Sequence, residues 1–513
     1  MDERLQLHPV ENIPRLRRLV ASVLGSSTTE SLGRYPQLEH ACLHLHRSGT
    51  VAAVVQRQVQ DPDFLAEHGT YYSRWAYAVP RFCTRIHFFS AKPKSADVLE
   101  AIDGWAEAGE DVYLGFITLR PVANSPVAAS FMRKPSSGWG QFIRTYDRYP
   151  VNLSGRQFHV DATPFMQQDN AVGACAQASI WMALRTLRWK EGRSAFNPAD
   201  ITSAATRFMV SGRTLPNRDG LRIEQITEAI RTAGYSPHVI YLRKPSATGK
   251  EAWEPGEYAK VCRTLYPYIE SGIPVILALL HPSGGHAVVA IGHGWSRQDP
   301  AQGRRPQPVR EKLAGAALLD ASQWAHPYYI HNDNTGPYLE LPRGPGSGYT
   351  LANAFCAIPL LSSDILVDAD EARTATISLL NDVMNIEKVR KMIDLPSRLV
   401  TRTLLLARTK VREQALASNL NTAVKRYYRT KWLPSHIWSL ELHPAHDYGN
   451  SPTIGLSPIG EVLLDPSADP SEGHFLTIRI NGAILKNHPE TTDLIIDRNA
   501  FDGSITLALH KAA

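Results

Sequence analysis

ATPFMQQDNAVGACAQASIWMALRTLRW, residues 162–189, changes character halfway along. Its first half is a loop of polar and small residues. From Cys175 onward the apolar positions Ile180, Trp181, Leu184 and Leu187 recur at helical spacing. Loop therefore meets helix at Cys175, and the thiol falls on the first helical turn. There the positive end of the helix dipole and unpaired backbone N–H groups favour an anion. A free thiol with a pKa near about 8.5 is only a few per cent ionised at neutral pH, so such a placement suits a nucleophile. The backbone N–H of Cys175 and the side-chain amide of Gln168 can donate together to a developing oxyanion, with Gln167 an alternative source of that amide.

Beyond this stretch the pattern predicts helices near Ile223–Ala233 and Tyr258–Glu270. After Gly272 come strands, IPVILALLH, HAVVAIGH, AALLDAS, YYIHND and AFCAIPL. A helical lobe thus precedes an antiparallel β lobe. Among 19 histidines His286 is the best placed base. Gly284 and Gly285 before it remove side-chain bulk, and the apolar run Ala287–Ile291 behind it would hold the ring. A third group should fix the imidazole tautomer through its other nitrogen. Asp333, one hairpin later, suits that role, and Asn332 and Asn334 compete for it.

QQDNAVGACAQAS, GGHAVVAIGH and IHNDNTGPY, in that order, resemble the papain-like cysteine peptidases. Within them they are similar to the bacterial branch of bacteriocin-leader-processing domains. The resemblance covers residues 163–360, with Ala176 standing where that branch has glycine. It implies Cys175 as nucleophile, His286 as base, Asp333 as orienter and Gln168 as oxyanion-hole amide, with no cofactor and no metal. With the patterning of the flanks, the expected organisation is a papain-like central domain, residues 151–363, between two smaller α+β domains, 1–150 and 364–513.

The flanks read as mixed modules. Pro14–Val23 and Val51–Val59 read as helical, CTRIHFF and VYLGFITL as strands, and Ser95 as the cap of a helix carrying Ile102 and Trp105. His40, Cys42, His44 and His46 in HACLHLH put His40 and His44 on one helical face. Without an acidic partner they read as an exposed helix ending near Gly49 rather than a zinc site. In the last third, helices are expected at Asp370–Met392 and Val411–Arg426. Strands are expected at Leu399–Ala407, HIWSLELH, GEVLL and FLTIRI. The polar, proline-bearing segment Ser296–Lys312 reads as a surface insertion.

Composition bounds the rest. The chain has 513 residues, 43% apolar and 20% charged, enough for about three globular domains. The 55 basic and 49 acidic residues leave a small charge imbalance spread along the chain, so no nucleic-acid partner is expected. No apolar run approaches the roughly 20 residues of a membrane span, and the acidic opening MDERLQLHPV leads to the expectation of no signal peptide. The five cysteines, Cys42, Cys83, Cys175, Cys262 and Cys356, are scattered and unpaired in pattern, which fits a reducing cytoplasm. The expectation is a cytoplasmic cysteine peptidase acting on a peptide or protein through an acyl-enzyme on Cys175. The same triad could pass the acyl group to an amine or thiol. A catalytically silent core would instead make the chain a binding or scaffolding protein.

Overall fold

The computed structural model describes residues 4–25, 29–169, 175–208, 220–242, 255–281, 284–296, 308–344, 346, 348–393, 395–418, 420, 422–446, 448, 458–468, 475–480, 483–487, 494–498 and 504–507. Helices and mostly antiparallel strands are mixed along its whole length, an α+β architecture. The chain packs as two compact units. The first comprises Met1–Ala252, Gly272–His293 and Pro327–Leu360; the second comprises Trp253–Ser271, Gly294–His326 and Leu361–Ala513.

In the first unit, one antiparallel sheet runs in the order Leu5–Pro9, Ala52–Val59, Cys83–Phe89, Tyr113–Leu119 and Phe131–Met132. A second runs Ile240–Tyr241, Ala354–Leu361, Val275–His281, Gly284–His293, Tyr328–Asn332 and Gly336–Leu341. The helix Cys175–Lys190 packs on the Gly284–His293 strand. Its first three turns are buried on all sides from Ala176 to Leu184, and only the last turn, with Trp189 and Lys190, emerges. A helix apolar all round is an interior helix, and its polar groups must then find partners. Gln177 Nε2 donates to the Pro198 carbonyl at 2.7 Å, Ser179 Oγ to the Ala287 carbonyl at 3.0 Å, and Trp181 Nε1 to Asp63 Oδ1 at 3.1 Å.

One hydrophobic core takes Leu38 and Leu45 from the helix Pro36–Arg47, and Val54, Phe88 and Ile117 from the first sheet. It continues through Ile180, Trp181 and Leu184 of the Cys175 helix to Ile276, Val289 and Ile291 of the second sheet. Each buried leucine, isoleucine or phenylalanine side chain contributes about 1.5–3 kcal/mol. Because that core is shared, the first 150 residues and the Cys175 region fold together, and the compact units do not divide at 150 and 363.

The second unit is built on a sheet ordered Lys312–Leu313, Ala316–Asp320, Arg398–Ala407, His436–Pro444, Gly460–Leu464, Phe475–Ile480, Ala483–Asn487, Leu494–Arg498 and Ser504–Leu507. Arg402 fastens the helix Pro255–Glu270 to it, with Glu270 at 2.8 Å and Glu441 at 2.9 Å. Burial works against the Glu441 charge, but Arg402 and His443 outweigh it and hold that carboxyl at about 2.

Several expectations change. Residues 52–59 form a strand, not a helix, with Ala52, Ala53, Val54 and Val55 all buried. A central strand covered on both faces shows no alternation, and its alanines imitate a helix. AALLD does not join the β lobe of His286. It lies parallel to Arg398–Ala407 in the second unit, because a short apolar run carries no information about which sheet it enters. The helix expected over Asp370–Met392 breaks at Ile386 into Ala369–Asn385 and Glu387–Met392. That over Val411–Arg426 breaks into Arg408–Ala417 and Thr422–Thr430, with Ser418 in extended backbone. Asp97, not Ser95, caps Val98–Ala108 by accepting from the amides of Leu99 and Glu100. Most of the insertion Ser296–Lys312 lies outside the described residues.

Candidate active site

The helix that carries Cys175 begins at that residue, as the loop-to-helix reading predicts. Residues 170–174 and the Cys175 side chain are outside the described part. What fixes the first turn is Ser179, four residues on, bound through its hydroxyl to the carbonyl of Ala287. Ala287 follows His286 directly, so this one bond registers the start of the Cys175 helix against the His286 strand.

His286 stands on Gly284–His293 opposite Leu279 of the neighbouring strand and is buried to 5% exposure. Its Nε2–H donates to Asn332 Oδ1 at 3.0 Å. Asp333 Oδ1 is 3.7 Å from the same nitrogen, beyond hydrogen-bond reach. The structure thus brings His286 and Asp333 together but gives the imidazole bond to Asn332. Strand parity explains this. Ala290 lies opposite Ile330 across the pair, and every second residue shares a face, so His286 and Asn332 project from the same side of the sheet. Asp333 lies in the turn past the end of the strand. Parity along HAVVA and YYIHN decides this only once one cross-strand pair is known.

With Nε2 protonated and engaged, Nδ1 is the acceptor nitrogen. The Asn334 side-chain amide approaches it at 3.4 Å, and the Asn334 backbone N–H donates to Asn332 Oδ1 at 2.9 Å. Burial lowers the His286 pKa, and the bond to Asn332 offsets part of that shift. Burial pushes the Asp333 carboxyl well above its ordinary range, since no other residue donates a hydrogen bond to either oxygen. The ring of Tyr349 covers His286 at 4.8 Å between centroids and its hydroxyl donates to the Gly284 carbonyl at 3.3 Å. Nothing in the spacing of the sequence pointed to Tyr349.

The adjacent glutamines separate. Gln167 is buried and occupied with backbone: its Oε1 accepts from the Val127 amide at 3.2 Å and its own carbonyl accepts from Arg120 Nη2 at 3.1 Å. Gln168 is half-buried. Beneath this segment Arg120 is fully enclosed, 2.9 Å from Glu67 and 4.0 Å from Asp169, while the Tyr72 hydroxyl donates to Asp169. Burial, only partly offset by Arg120, pushes the Glu67 carboxyl up to about 7. Glu67 belongs to the helix Pro62–Thr70, whose Asp63 also receives Trp181 of the Cys175 helix, so a single amino-terminal element meets that helix directly and residues 167–169 through Arg120.

The HACLHLH helix is exposed on one face only, with His46 in solvent while Leu38, Ala41, Cys42 and Leu45 are buried. His44 donates from Nε2 to the Arg133 carbonyl at 2.7 Å and lies against Tyr338 at 4.7 Å, and burial holds its pKa down at about 4. Among the described residues no group of three or more histidine, cysteine or acidic side chains could hold a metal ion. Among those residues, too, no helix is long and apolar enough to cross a membrane. Cys42, Cys83, Cys262 and Cys356 are buried, and burial pushes the thiols of Cys42, Cys83 and Cys356 up to about 12. No known family model matches the chain, and a comparison with curated proteins finds no match.

Proposed function

We propose that this protein is a papain-like cysteine hydrolase that cleaves an amide bond in a peptide or protein in the cytoplasm, through an acyl-enzyme on Cys175. The observation that carries the reading is the buried His286–Asn332 hydrogen bond, on a strand fastened through Ser179 to the first turn of the Cys175 helix. Nδ1 of His286 takes the thiol proton, and the thiolate attacks the substrate carbonyl. The resulting oxyanion accepts from the Cys175 backbone N–H and the Gln168 amide. Collapse breaks the C–N bond, and the leaving amine takes the proton from His286. Water, deprotonated by the same imidazole, then releases the acid and restores the thiol. Asn332 keeps the ring in the tautomer these transfers need.

Thiol reactivity tests this directly, because the other four cysteines are buried. Native protein treated with limiting iodoacetamide at neutral pH should be labelled first at Cys175, and His286→Ala should slow that labelling about tenfold or more. Equal labelling of all five thiols, or a rate indifferent to His286→Ala, would retire the reading. Turnover with and without added amine then separates hydrolysis from acyl transfer.

A further inference from the structure

The turn that follows Asn332 is held from outside its own sheet. Gln37, on the amino-terminal helix Pro36–Arg47, is buried to 5% exposure and donates from Nε2 to the backbone carbonyl of Asp333 at 2.9 Å. One helical turn on, His40 donates from Nδ1 to the Thr335 carbonyl at 2.7 Å, sharing that hydrogen with the Pro36 carbonyl at 3.0 Å. Gly336 completes the fit. A Cβ there would lie 2.7 Å from the His40 Cβ, and the backbone sits at φ +150°, so only glycine lets helix and turn approach this closely.

We propose that Gln37, supported by His40, is a positioning residue for the His286–Asn332 pair: the amino-terminal helix clamps the 333–335 turn and thereby sets where the Asn332 amide meets the imidazole. The proposal rests on the hydrolase reading above. Packing alone does not account for Gln37, because its Oε1 is buried without a hydrogen bond. A glutamine kept only to fill the interface would leave half of a buried amide unpaired, and an apolar side chain of its length would fill the same space without that defect. What an apolar side chain lacks is the donor to Asp333. The flanking helix is then part of the catalytic apparatus although it touches no substrate.

Gln37→Met keeps the length of the side chain and removes the donor. His40→Phe keeps the ring against Gly336 and removes the second donor. Two readouts are taken for each: the His286 titration followed by NMR of its ring C–H groups, and the pH profile of Cys175 alkylation. With thermal stability equal to or above wild type, Gln37→Met should shift the His286 titration and slow alkylation at neutral pH by about tenfold, the scale on which small misplacements act. His40→Phe should do the same to a lesser degree. A stability loss with an unmoved titration and an unmoved pH profile would make Gln37 merely structural and overturn the proposal. Should Gln37→Met fail to fold, His40→Phe and Gly336→Ala, which wedges the helix off the turn, decide by the same readouts. The NMR titration reads imidazole placement whether or not Cys175 is a nucleophile. An unreactive Cys175 in wild type therefore sinks the hydrolase reading alone, while an unmoved titration sinks the clamp alone.

Discussion

At the scale of single residues, the question is which side chain orients His286. Asn332 holds the hydrogen bond, and Asp333, whose carboxyl burial pushes well up, is 0.7 Å farther away (3.7 against 3.0 Å). The two are told apart by substitution. Asn332→Ala should lower turnover about a hundredfold by freeing the imidazole, whereas Asp333→Asn should leave most of it. Stability carries a second signature. The folded Asp333 carboxyl keeps its proton well above the value of 3.8 at which the unfolded chain releases it. Its contribution is therefore complete below about 3.9 and is lost as pH rises through the folded value. Asp333→Asn removes that loss, so its melting temperature should exceed that of wild type at pH 8 and match it at pH 4. A variant equally stable at both values, or inactive at neutral pH, would return the orienting role to Asp333.

At the scale of elements, the helix Pro62–Thr70 and the loop around Arg120 support the segment that leads into Cys175. Arg120 is enclosed with Glu67 and Asp169 and also holds the Gln167 carbonyl. Removing one member of a buried charge cluster strands the others at a cost of about 3–5 kcal/mol. Arg120→Met should lower unfolding free energy by that amount in urea titrations, and Arg120→Met with Glu67→Gln should recover part of it. If the single change is near neutral, the cluster does not support the loop. The elements also show what a sequence discloses. The Cys175 helix was legible from its helical period, and the His286 and Tyr328–Asn332 strands from short β-branched and aromatic apolar runs bounded by turn residues. The strand Ala52–Val59 was not, since burial on both faces erases the alternation that marks a strand. Nor was the sheet to which Ala316–Asp320 belongs, because a strand's partner lies outside its own residues. Gln37 and Tyr349 stayed hidden for the same reason. Their roles consist of contacts with residues 296 and 65 positions away, Asp333 and Gly284, and neither has a pattern of its own.

At the scale of the molecule, chain order and compact unit do not coincide. The chain leaves the first unit at 253, returns at 272, leaves at 294, returns at 327 and leaves again at 361. An excised fragment of residues 151–363 would carry the Pro255–Glu270 helix and the Ala316–Asp320 strand without the sheet that completes them, and would lack the first sheet that shares the core of the Cys175 helix. Expressed alone it should be insoluble or show no cooperative melting transition, while the full chain melts cooperatively. A cooperatively folded fragment would show that the shared core is dispensable.

The same threading orders events during synthesis. The helix Pro36–Arg47 and the Cys175 helix emerge from the ribosome first, the His286 hairpin later and Asn332 later still. Until residue 332 has cleared the exit tunnel the His286 imidazole lacks the Asn332 amide that holds it. On the hydrolase reading proposed above, the site is complete only once the Gly284–His293 and Tyr328–Asn332 strands have both been made, so the unfinished polypeptide is spared its own chemistry.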